Sequence, residues 1–151
     1  MTSQCYTKHR MPPPGTLHVR ELGHVSLFVR DLDATRRFYR DVLGLAETGT
    51  GKNGRIVFFA ITDGHGTSGM RTGSRHHDIS CELARADGPG LQPKGVPGLY
   101  HIAFTVDDIM AARAWVESQG LAPFGEYERG FCVRDPDGHE IELYTERAAS
   151  A

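Results

Sequence analysis

The sequence predicts an α+β fold made of two βαβββ modules within one domain. The segment GHVSLFVRDLDATRRFYRDVLGL, from Gly23, aligns with YHIAFTVDDIMAARAWVESQGL, from Tyr100. In each half a turn, a strand-like run and an Asp-Gly-His tripeptide then follow in the same order. The length of 151 residues, with 39% hydrophobic and 24% charged residues, suits one globular core.

Each module is predicted to open with a strand and a helix. β-branched and aromatic residues predict strands at 24–29 and 101–106, and an Asp after each strand is placed to cap a helix. Gly44 and Gly120 offer the helix stops. The side chains expected to face the core are Ala34, Phe38, Val42 and Leu45 in the first helix, and Met110, Ala114 and Val116 in the second.

Three further strands are expected in each module. They are predicted at 46–50, 55–61 and 76–83, and then at 123–127, 130–134 and 140–145. The Gly- and Pro-rich run ADGPGLQPKGVPG predicts a linker between the modules. The expected organisation is a flexible arm at 1–19, one domain at 20–147 (module 1 about 20–85, linker about 86–98, module 2 about 99–147) and a tail at 148–151.

Composition favours a small-molecule partner. A formal net charge of −2 gives no broad electrostatic attraction to nucleic acid or to an anionic membrane. No stretch is apolar enough for a leader or a membrane span. The three cysteines are odd in number and far apart, which indicates neither a disulfide framework nor a CxxC zinc site. We therefore expect a cytoplasmic protein.

Two repeated histidines form the strongest functional signal. Strand alternation puts His24 and His101 on the more polar face of their strands. A single strand histidine is usually a satisfied, half-buried residue, but two at matching positions suggest a pair of metal ligands if the two strands pair about a symmetry axis. Glu142, or Glu140 in reserve, adds the carboxylate of a facial triad that suits non-haem Fe(II).

The chain resembles the vicinal oxygen chelate superfamily, which includes glyoxalase I, bleomycin and fosfomycin resistance proteins and type I extradiol dioxygenases. The resemblance covers about residues 20–146. Besides the first repeat, it rests on His77-Asp78 within RHHDISCEL, on LYHIAFTV and on DPDGHEIELY from Asp135. It implies the same three metal ligands: His24, His101 and Glu142.

The extradiol branch implies a specific reaction. That branch places an acid/base His before an Asp on the fourth strand, which matches His77, and a neutral-range imidazole suits proton transfer with a catechol. We expect Fe(II), with Mn, Ni and Zn as alternatives, to support insertion of O2 into a catechol, giving a muconic semialdehyde. Likeness to single-domain L-DOPA dioxygenases suggests an amino-acid catechol such as L-DOPA, and the family implies a homodimer.

The resemblance is incomplete at one position. The Tyr that extradiol enzymes place ten residues before the Glu ligand is Cys132 here. Tyr127, Arg129 and His139 are candidates to bind substrate in its place, although each could instead be an exposed loop residue. The polar loop 63–73 could be a lid that brings Arg71 to a substrate carboxylate.

Two alternatives to the dioxygenase stay open. A glyoxalase-like lyase or isomerase uses a fourth protein ligand, which would be Glu82. Strand alternation places His77 and Glu82 on opposite faces of the fourth strand, so if His77 faces inward, Glu82 should face outward. A bleomycin-resistance-type binding protein would have an apolar, metal-free cleft, against which the three ionisable ligand candidates argue.

Overall fold

Two four-stranded sheets realise the predicted repeat. The computed structural model describes residues 11–17, 19, 22–62 and 77–146. Module 1 contains β1 (Val25–Val29), α1 (Leu32–Arg36), a π-helical continuation (Arg37–Val42), β2 (Ala46–Gly51), β3 (Ile56–Ala60) and β4 (Ile79–Leu83). Module 2 contains β5 (His101–Thr105), α2 (Ile109–Ser118), β6 (Phe124–Tyr127), β7 (Gly130–Arg134) and β8 (Glu140–Tyr144).

The strand order is the same in both sheets. It is β1-β4-β3-β2 in the first and β5-β8-β7-β6 in the second. The outer pairs β1–β4 and β5–β8 are parallel, whereas the remaining neighbours are antiparallel. This confirms the predicted α+β arrangement of two βαβββ modules.

One expected pairing is wrong. β1 and β5 do not pair with each other: each lies at the edge of its own sheet, beside β4 and β8 respectively. Within each module the first strand pairs in parallel with the last strand: β1 with β4, and β5 with β8. The two candidate ligand histidines, His24 and His101, consequently belong to different sheets.

Both helices begin at the predicted aspartates. The Asp31 carboxylate accepts from the backbone N–H groups of Asp33 and Ala34, and Asp108 does the same for Met110 and Ala111. Such a cap satisfies amides that the first turn leaves without helical partners. Gly44 and Gly120 follow the helices at φ +76° and +81°, where glycine avoids the cost of a Cβ.

The first helix differs from the expected one in its second half. Residues 37–42 form a π-helix, in which the Leu43 amide donates to the Phe38 carbonyl at 2.9 Å. The repeat aligns only if module 2 lacks one residue before Gly120. A π turn accommodates one extra residue, so module 1 takes up its additional residue inside the helix.

The second helix presents a different face from the predicted one. Met110 is 68% exposed and Ala114 is also exposed, so their predicted inward orientation is wrong. The packed stripe consists of Ile109, Ala112 and Val116, at the i, i+3, i+7 spacing of a helical face. In the first helix Phe38 and Leu45 are buried as predicted.

A single hydrophobic cluster joins the modules. Each fully buried aromatic or aliphatic side chain contributes about 1.5–3 kcal/mol through removal of apolar surface from water. The members with almost no exposed surface come from both halves: Val29, Tyr39, Val57, Phe59, Cys81, Val116, Phe131, Val133 and Ile141.

A polar network, the module joint, also links the halves. It consists of Tyr39, Asp135, His139, Asp137 and Arg30. The Tyr39 hydroxyl donates to Asp135 Oδ2 at 2.9 Å, and His139 Nδ1 lies 2.8 Å from the same oxygen. The backbone and side chain of Arg30 both donate to Asp137 Oδ1, at 3.0 and 2.9 Å. These bonds fix module 1 against the β7–β8 turn of module 2.

The ends of the chain fall largely outside the described residues. Residues 11–17, part of the predicted arm, contain no helix or strand and are exposed. The loop 63–73 with Arg71 and the tail 148–151 lie outside the described residues. Within the described part, no helix has the length and apolarity needed to cross a membrane.

Candidate functional site

Each sheet turns one face to the core and one, the cleft face, away from it. In β1, Leu27 and Val29 are buried while Ser26 and Phe28 are exposed, as expected for a strand whose side chains alternate. His24 lies just before β1 and shares their exposed side. In β5 the cleft face holds His101 and Ala103.

The cleft of module 1 holds two imidazoles side by side. The rings of His24 and His77 lie 4.7 Å apart, and His77 stacks on Phe58 at 4.5 Å. The cleft has a volume of about 280 Å³ and is also lined by Ser26, Phe28 and Ser80, among others. Two aromatic rings and two imidazoles make it suited to a small, partly apolar ligand.

Asp78 fixes the position of His77. Its buried side chain accepts from the Ile61 amide at 2.7 Å, while its backbone joins the ends of β1 and β3 through Val25 and Phe59. Because the backbone of Asp78 is hydrogen-bonded on both sides, the adjacent residue His77 is held in the cleft beside His24.

The predicted alternation between His77 and Glu82 is wrong. Both residues line the module 1 cleft. The reason is that β4 begins at Ile79, so the regular alternation does not reach His77. Within β4, Ile79 and Cys81 face the core, whereas Ser80 and Glu82 face the cleft.

Glu82 already has a cationic partner. Both of its carboxylate oxygens lie 2.9 Å from Lys52 Nζ. Lys52 opens the β2–β3 hairpin turn, in which the Arg55 amide donates to the Lys52 carbonyl at 3.2 Å and the central residues Asn53 and Gly54 adopt φ of +55° and +83°, typical of a type I′ turn. The strand register makes Ser80, and not Glu82, the module 1 equivalent of Glu142. Ser80 pairs with Ser26, and Glu142 pairs with Ala103, which the repeat aligns with Ser26.

The cleft face of module 2 holds an imidazole–carboxylate pair. His101 Nε2 lies 3.1 Å from Glu142 Oε2, and the Tyr127 hydroxyl donates to Glu142 Oε1 at 2.5 Å. Burial, and then the bond to Glu142, raise the pKa of Tyr127 to about 12, so it remains a donor at neutral pH. The carboxylate is therefore held in place from both sides.

Gly130 makes the Tyr127 contact possible. A Cβ at this position would lie 2.6 Å from the Tyr127 hydroxyl and 2.7 Å from the Leu143 carbonyl oxygen. Because the carbonyl belongs to the backbone of a paired strand, it cannot move aside. Only glycine lets the phenol cross β7 and reach Glu142.

Cys132 and Glu140 also lie on or beside this face. Cys132 pairs across the strands with Glu142, and burial raises the pKa of its thiol. Glu140, the reserve ligand, lies opposite His101 and is paired with Arg134 and Lys94. Its carboxylate is thus compensated by cations, unlike that of Glu142.

The other two candidate substrate residues lie elsewhere. His139 belongs to the buried module joint, where the hydrogen bond to Asp135 raises its pKa although burial opposes this. Arg129 Nη1 donates to the backbone oxygen of Glu146 at 3.3 Å and is exposed. Of the three candidates, Tyr127 alone contacts a predicted metal ligand.

One chain does not bring the predicted triad together. Imidazole and carboxylate donors suit a divalent transition metal. Yet among residues 11–17, 19, 22–62 and 77–146, no group of three or more His, Cys, Asp or Glu side chains could hold a metal ion. His101 and Glu142 form one half of the predicted site, and His24 lies in the other module with His77.

Two features were not predicted: the pairing of Lys94 and Arg134 with Glu140, and the hydrogen bonds that Asp135 makes with Tyr39 and His139. The strand alternation of RDPDGHEIELY contains a signal for the first, since Arg134, Glu140 and Glu142 fall on one face of adjacent strands. The Asp-Pro-Asp-Gly turn is a signal for the role of Asp135, whose side chain accepts from the amides of Asp137 and His139.

Known proteins match both the sequence and the fold. A protein of Schizosaccharomyces pombe named lactoylglutathione lyase is 29% identical, covering 83% of this chain and 47% of its own length. The chain thus spans about half of that relative. A probable lactoylglutathione lyase of Vibrio parahaemolyticus is 30% identical, covering 85% of this chain and 92% of its own.

The fold comparison agrees. The crystal structure of a glyoxalase/dioxygenase from Nostoc punctiforme superposes with a TM-score of 0.67 at 22% identity, covering 93% of this chain and 99% of that one. A family model matches residues 21–143, which include every described strand and helix except the end of β8. The chain belongs to the Glyoxalase/Bleomycin resistance protein/Dioxygenase superfamily.

Proposed function

We propose that this protein is a metal-dependent lyase or isomerase of the glyoxalase kind, active as a dimer. The relatives named lactoylglutathione lyase favour this reaction over the extradiol cleavage predicted from the sequence. The single observation that carries the proposal is the carboxylate of Glu142, fixed between His101 at 3.1 Å and Tyr127 at 2.5 Å. Such an oriented carboxylate–imidazole pair is half of a divalent metal site.

A second copy of the chain would complete the site. β1 and β5 are both edge strands, and their cleft faces belong to separate sheets within one chain. Pairing the module 1 cleft of one copy with the module 2 face of another would join His24 to His101 and Glu142. Glu82, the candidate fourth ligand, lines the same cleft as His24 and would exchange Lys52 for the metal. A homodimer with two-fold symmetry would contain two such sites.

The bound metal, which could be Fe(II), Mn, Ni or Zn, would polarise a substrate carbonyl. The residues of the chain then account for the remaining chemistry. His77, which lines the cleft, would take the proton from the hydroxyl-bearing carbon beside that carbonyl and return it to the carbonyl carbon, while the hydroxyl proton passes to the carbonyl oxygen. This shift leaves the atom count unchanged, as an isomerisation requires. Phe28 and Phe58 would exclude water.

A specific observation supports extradiol cleavage as a second candidate. His77 lies 4.7 Å from the His24 ring, where an acid/base group could accept a catechol proton. In that reaction the substrates would be a catechol, for example L-DOPA, and O2, and the metal Fe(II). The position of His77 suits either reaction, so the two candidate functions must be distinguished by the substrate that the protein converts.

Activity assays on metal-loaded protein separate the two. We would supply the hemithioacetal of methylglyoxal and glutathione to Zn-, Ni- and Mn-loaded protein, and L-DOPA with O2 to Fe(II)-loaded protein. Thioester formation that is lost in Glu142→Ala supports the lyase or isomerase. Ring cleavage with O2 uptake and no thioester replaces it with the second candidate.

Complementation tests the shared site. Variants His24→Ala and Glu142→Ala, each inactive alone, would be refolded together. If the site spans two copies, half of the random pairs are mixed and each mixed dimer has one intact site, so about a quarter of wild-type activity returns. No recovery, with mixed dimers present, would contradict assembly across the dimer. Arg85→Ala, at an exposed pair with Asp87, serves as the matched control.

A further inference from the structure

Two cations converge on one carboxylate beside the candidate site. Lys94 Nζ lies 3.7 Å and Arg134 Nη2 lies 3.3 Å from the same oxygen of Glu140. The Glu140 side chain is only 10% exposed, whereas Lys94 and Arg134 are 65% and 56% exposed. The group therefore has one excess positive charge, and its cations remain open to solvent.

Strand register places this cationic group next to the candidate metal ligands. Glu140 pairs with His101 across β5 and β8, and it precedes Glu142 by two residues on the same strand. Arg134 pairs with Glu140 across β7 and β8, two residues from Cys132. Because alternate residues share a face, the group continues the cleft face on which His101 and Glu142 lie.

An aromatic ring supports each cation. The Lys94 ammonium lies 4.7 Å from the centre of the Tyr100 ring, and the Arg134 guanidinium lies 4.7 Å from that of Phe124. Cation–π contacts at exposed sites are worth about 0.5–1 kcal/mol and hold a long side chain in one place. Both cations are thereby pre-ordered without being neutralised.

The ion pair in the cleft of module 1 has no such excess charge. There Lys52 is the one cation paired with Glu82 among the described residues, and it contacts both carboxylate oxygens. One cation and one carboxylate cancel, which leaves nothing for an anion to neutralise. The two-to-one ratio in module 2 thus distinguishes it from an ordinary surface ion pair.

We propose that Lys94 and Arg134 bind a carboxylate of the substrate whose reacting atoms lie at His101 and Glu142. This inference rests on the proposed function for the identity of those reacting atoms. An incoming carboxylate would bridge the lysine ammonium and the remaining N–H groups of the guanidinium, which offers five donors in a fixed plane. Glu140 would keep the cations in position and tune their affinity for the ligand.

The test measures binding without turnover, so that its failure is distinct from a failure of the proposed function. We would add propionate, or neutral propionamide as the matched control, to the Zn-loaded protein and follow the side-chain Nε–H signals of arginines by NMR. The Arg134 signal should shift saturably with propionate and not with propionamide. The Arg85 signal should not respond to either.

Three variants separate ligand binding from a purely structural role. Lys94→Gln should weaken propionate binding about fivefold, the worth of about 1 kcal/mol. Glu140→Gln should strengthen it by a similar factor because the resident anion is removed. Arg85→Ala should leave it unchanged. An Arg134 signal that ignores propionate, or equal binding in wild type and both Lys94→Gln and Glu140→Gln, would overturn the proposal.

Discussion

Module 1 and module 2 share one backbone plan and differ in what they place on it. Ser80 occupies the position in module 1 that Glu142 occupies in module 2, and Ser80 hydrogen-bonds Ser26 at 2.6 Å instead of a His. The histidines three residues before these two positions, His77 and His139, are equivalent by strand register and also differ in their surroundings. His77 faces an aromatic cleft, whereas His139 is buried against Asp135.

The difference teaches that the repeat fixes geometry but not chemistry. Module 1 supplies two imidazoles, apolar rings and a carboxylate paired with Lys52, and module 2 supplies the His101–Glu142 pair with cations nearby. Neither set alone suffices for the proposed reaction. A site that needs both must bring one face of each kind together, which is the reason to expect two copies of the chain to cooperate.

The largest expected effect comes from comparing alanine substitutions at the equivalent positions Ser80 and Glu142. Glu142→Ala should lower activity by more than about a hundredfold, because it removes a proposed metal ligand and the loss of even an outer partner of a ligand costs up to about that much. Ser80→Ala should change activity by less than about threefold, since it loses one hydrogen bond outside the proposed ligand set. Steady-state rates and metal content by elemental analysis check both. Similar losses in the two variants would show that the modules contribute equivalent ligands.

The second comparison concerns stability at the equivalent histidines. His139→Ala should lower the free energy of unfolding by about 3 kcal/mol, because it leaves the Asp135 charge buried without its partner. His77→Ala, at a partly exposed site, should cost about 1 kcal/mol or less while lowering activity. Urea denaturation of both variants provides the measurement. A larger loss for His77 would reverse the assigned roles.

The module joint also predicts a pH profile. Bonding to Asp135 raises the pKa of His139, so its stabilisation is complete below the ordinary value of about 6.5 and is lost as pH rises through the raised value. For Asp135, burial acts to raise the pKa, but the hydrogen bond and charge of His139 outweigh burial, so the net effect is a lowered pKa. The Asp135 contribution is present above about 3.9 and is lost as pH falls through the lowered value.

Stability should therefore be greatest between these limits. The groups facing His139 are the carboxylates of Asp135 and Asp137. The Tyr39 hydroxyl, from the π-helical segment, donates to Asp135, and burial raises the pKa of Tyr39 so that it stays neutral. In His139→Gln the alkaline decline should flatten. Free energies of unfolding of the wild type and of His139→Gln, measured across pH, provide the test. If the two profiles are the same, groups other than His139 cause the loss of stability at alkaline pH.

The smallest effect concerns a pair of aromatic residues that the repeat aligns. Phe38 is 4% exposed, but its counterpart Trp115 is 48% exposed and donates from Nε1 to the Val42 carbonyl at 2.8 Å. Trp115→Phe should cost about 1 kcal/mol, the net worth of one hydrogen bond, as measured by thermal unfolding. No change in stability would mean that this contact between modules adds nothing to the core.

Local patterns were sufficient to predict the strands, both aspartate caps and the glycine stops. The repeat identified His24 and His101 as equivalent, and alternation placed Glu142 on the cleft face, because these rules act over a few residues. The π-helix and the orientation of His77 depend on how a local irregularity is absorbed by packing. His24 and His101 are separated because β1 and β5 are edge strands of different sheets. The periodicity of the sequence does not encode the order of strands in a sheet.

The π-helical segment has a consequence for motion. A π turn interrupts the regular hydrogen bonding of an α-helix, so we expect hydrogen exchange at residues 38–43 to proceed through local openings that require less free energy than those in α2. Tyr39, which joins module 1 to Asp135, lies in this turn. One of the side chains that join the two modules thus lies in the irregular turn of its helix, so we expect a change in that turn to shift module 1 relative to the β7–β8 turn of module 2.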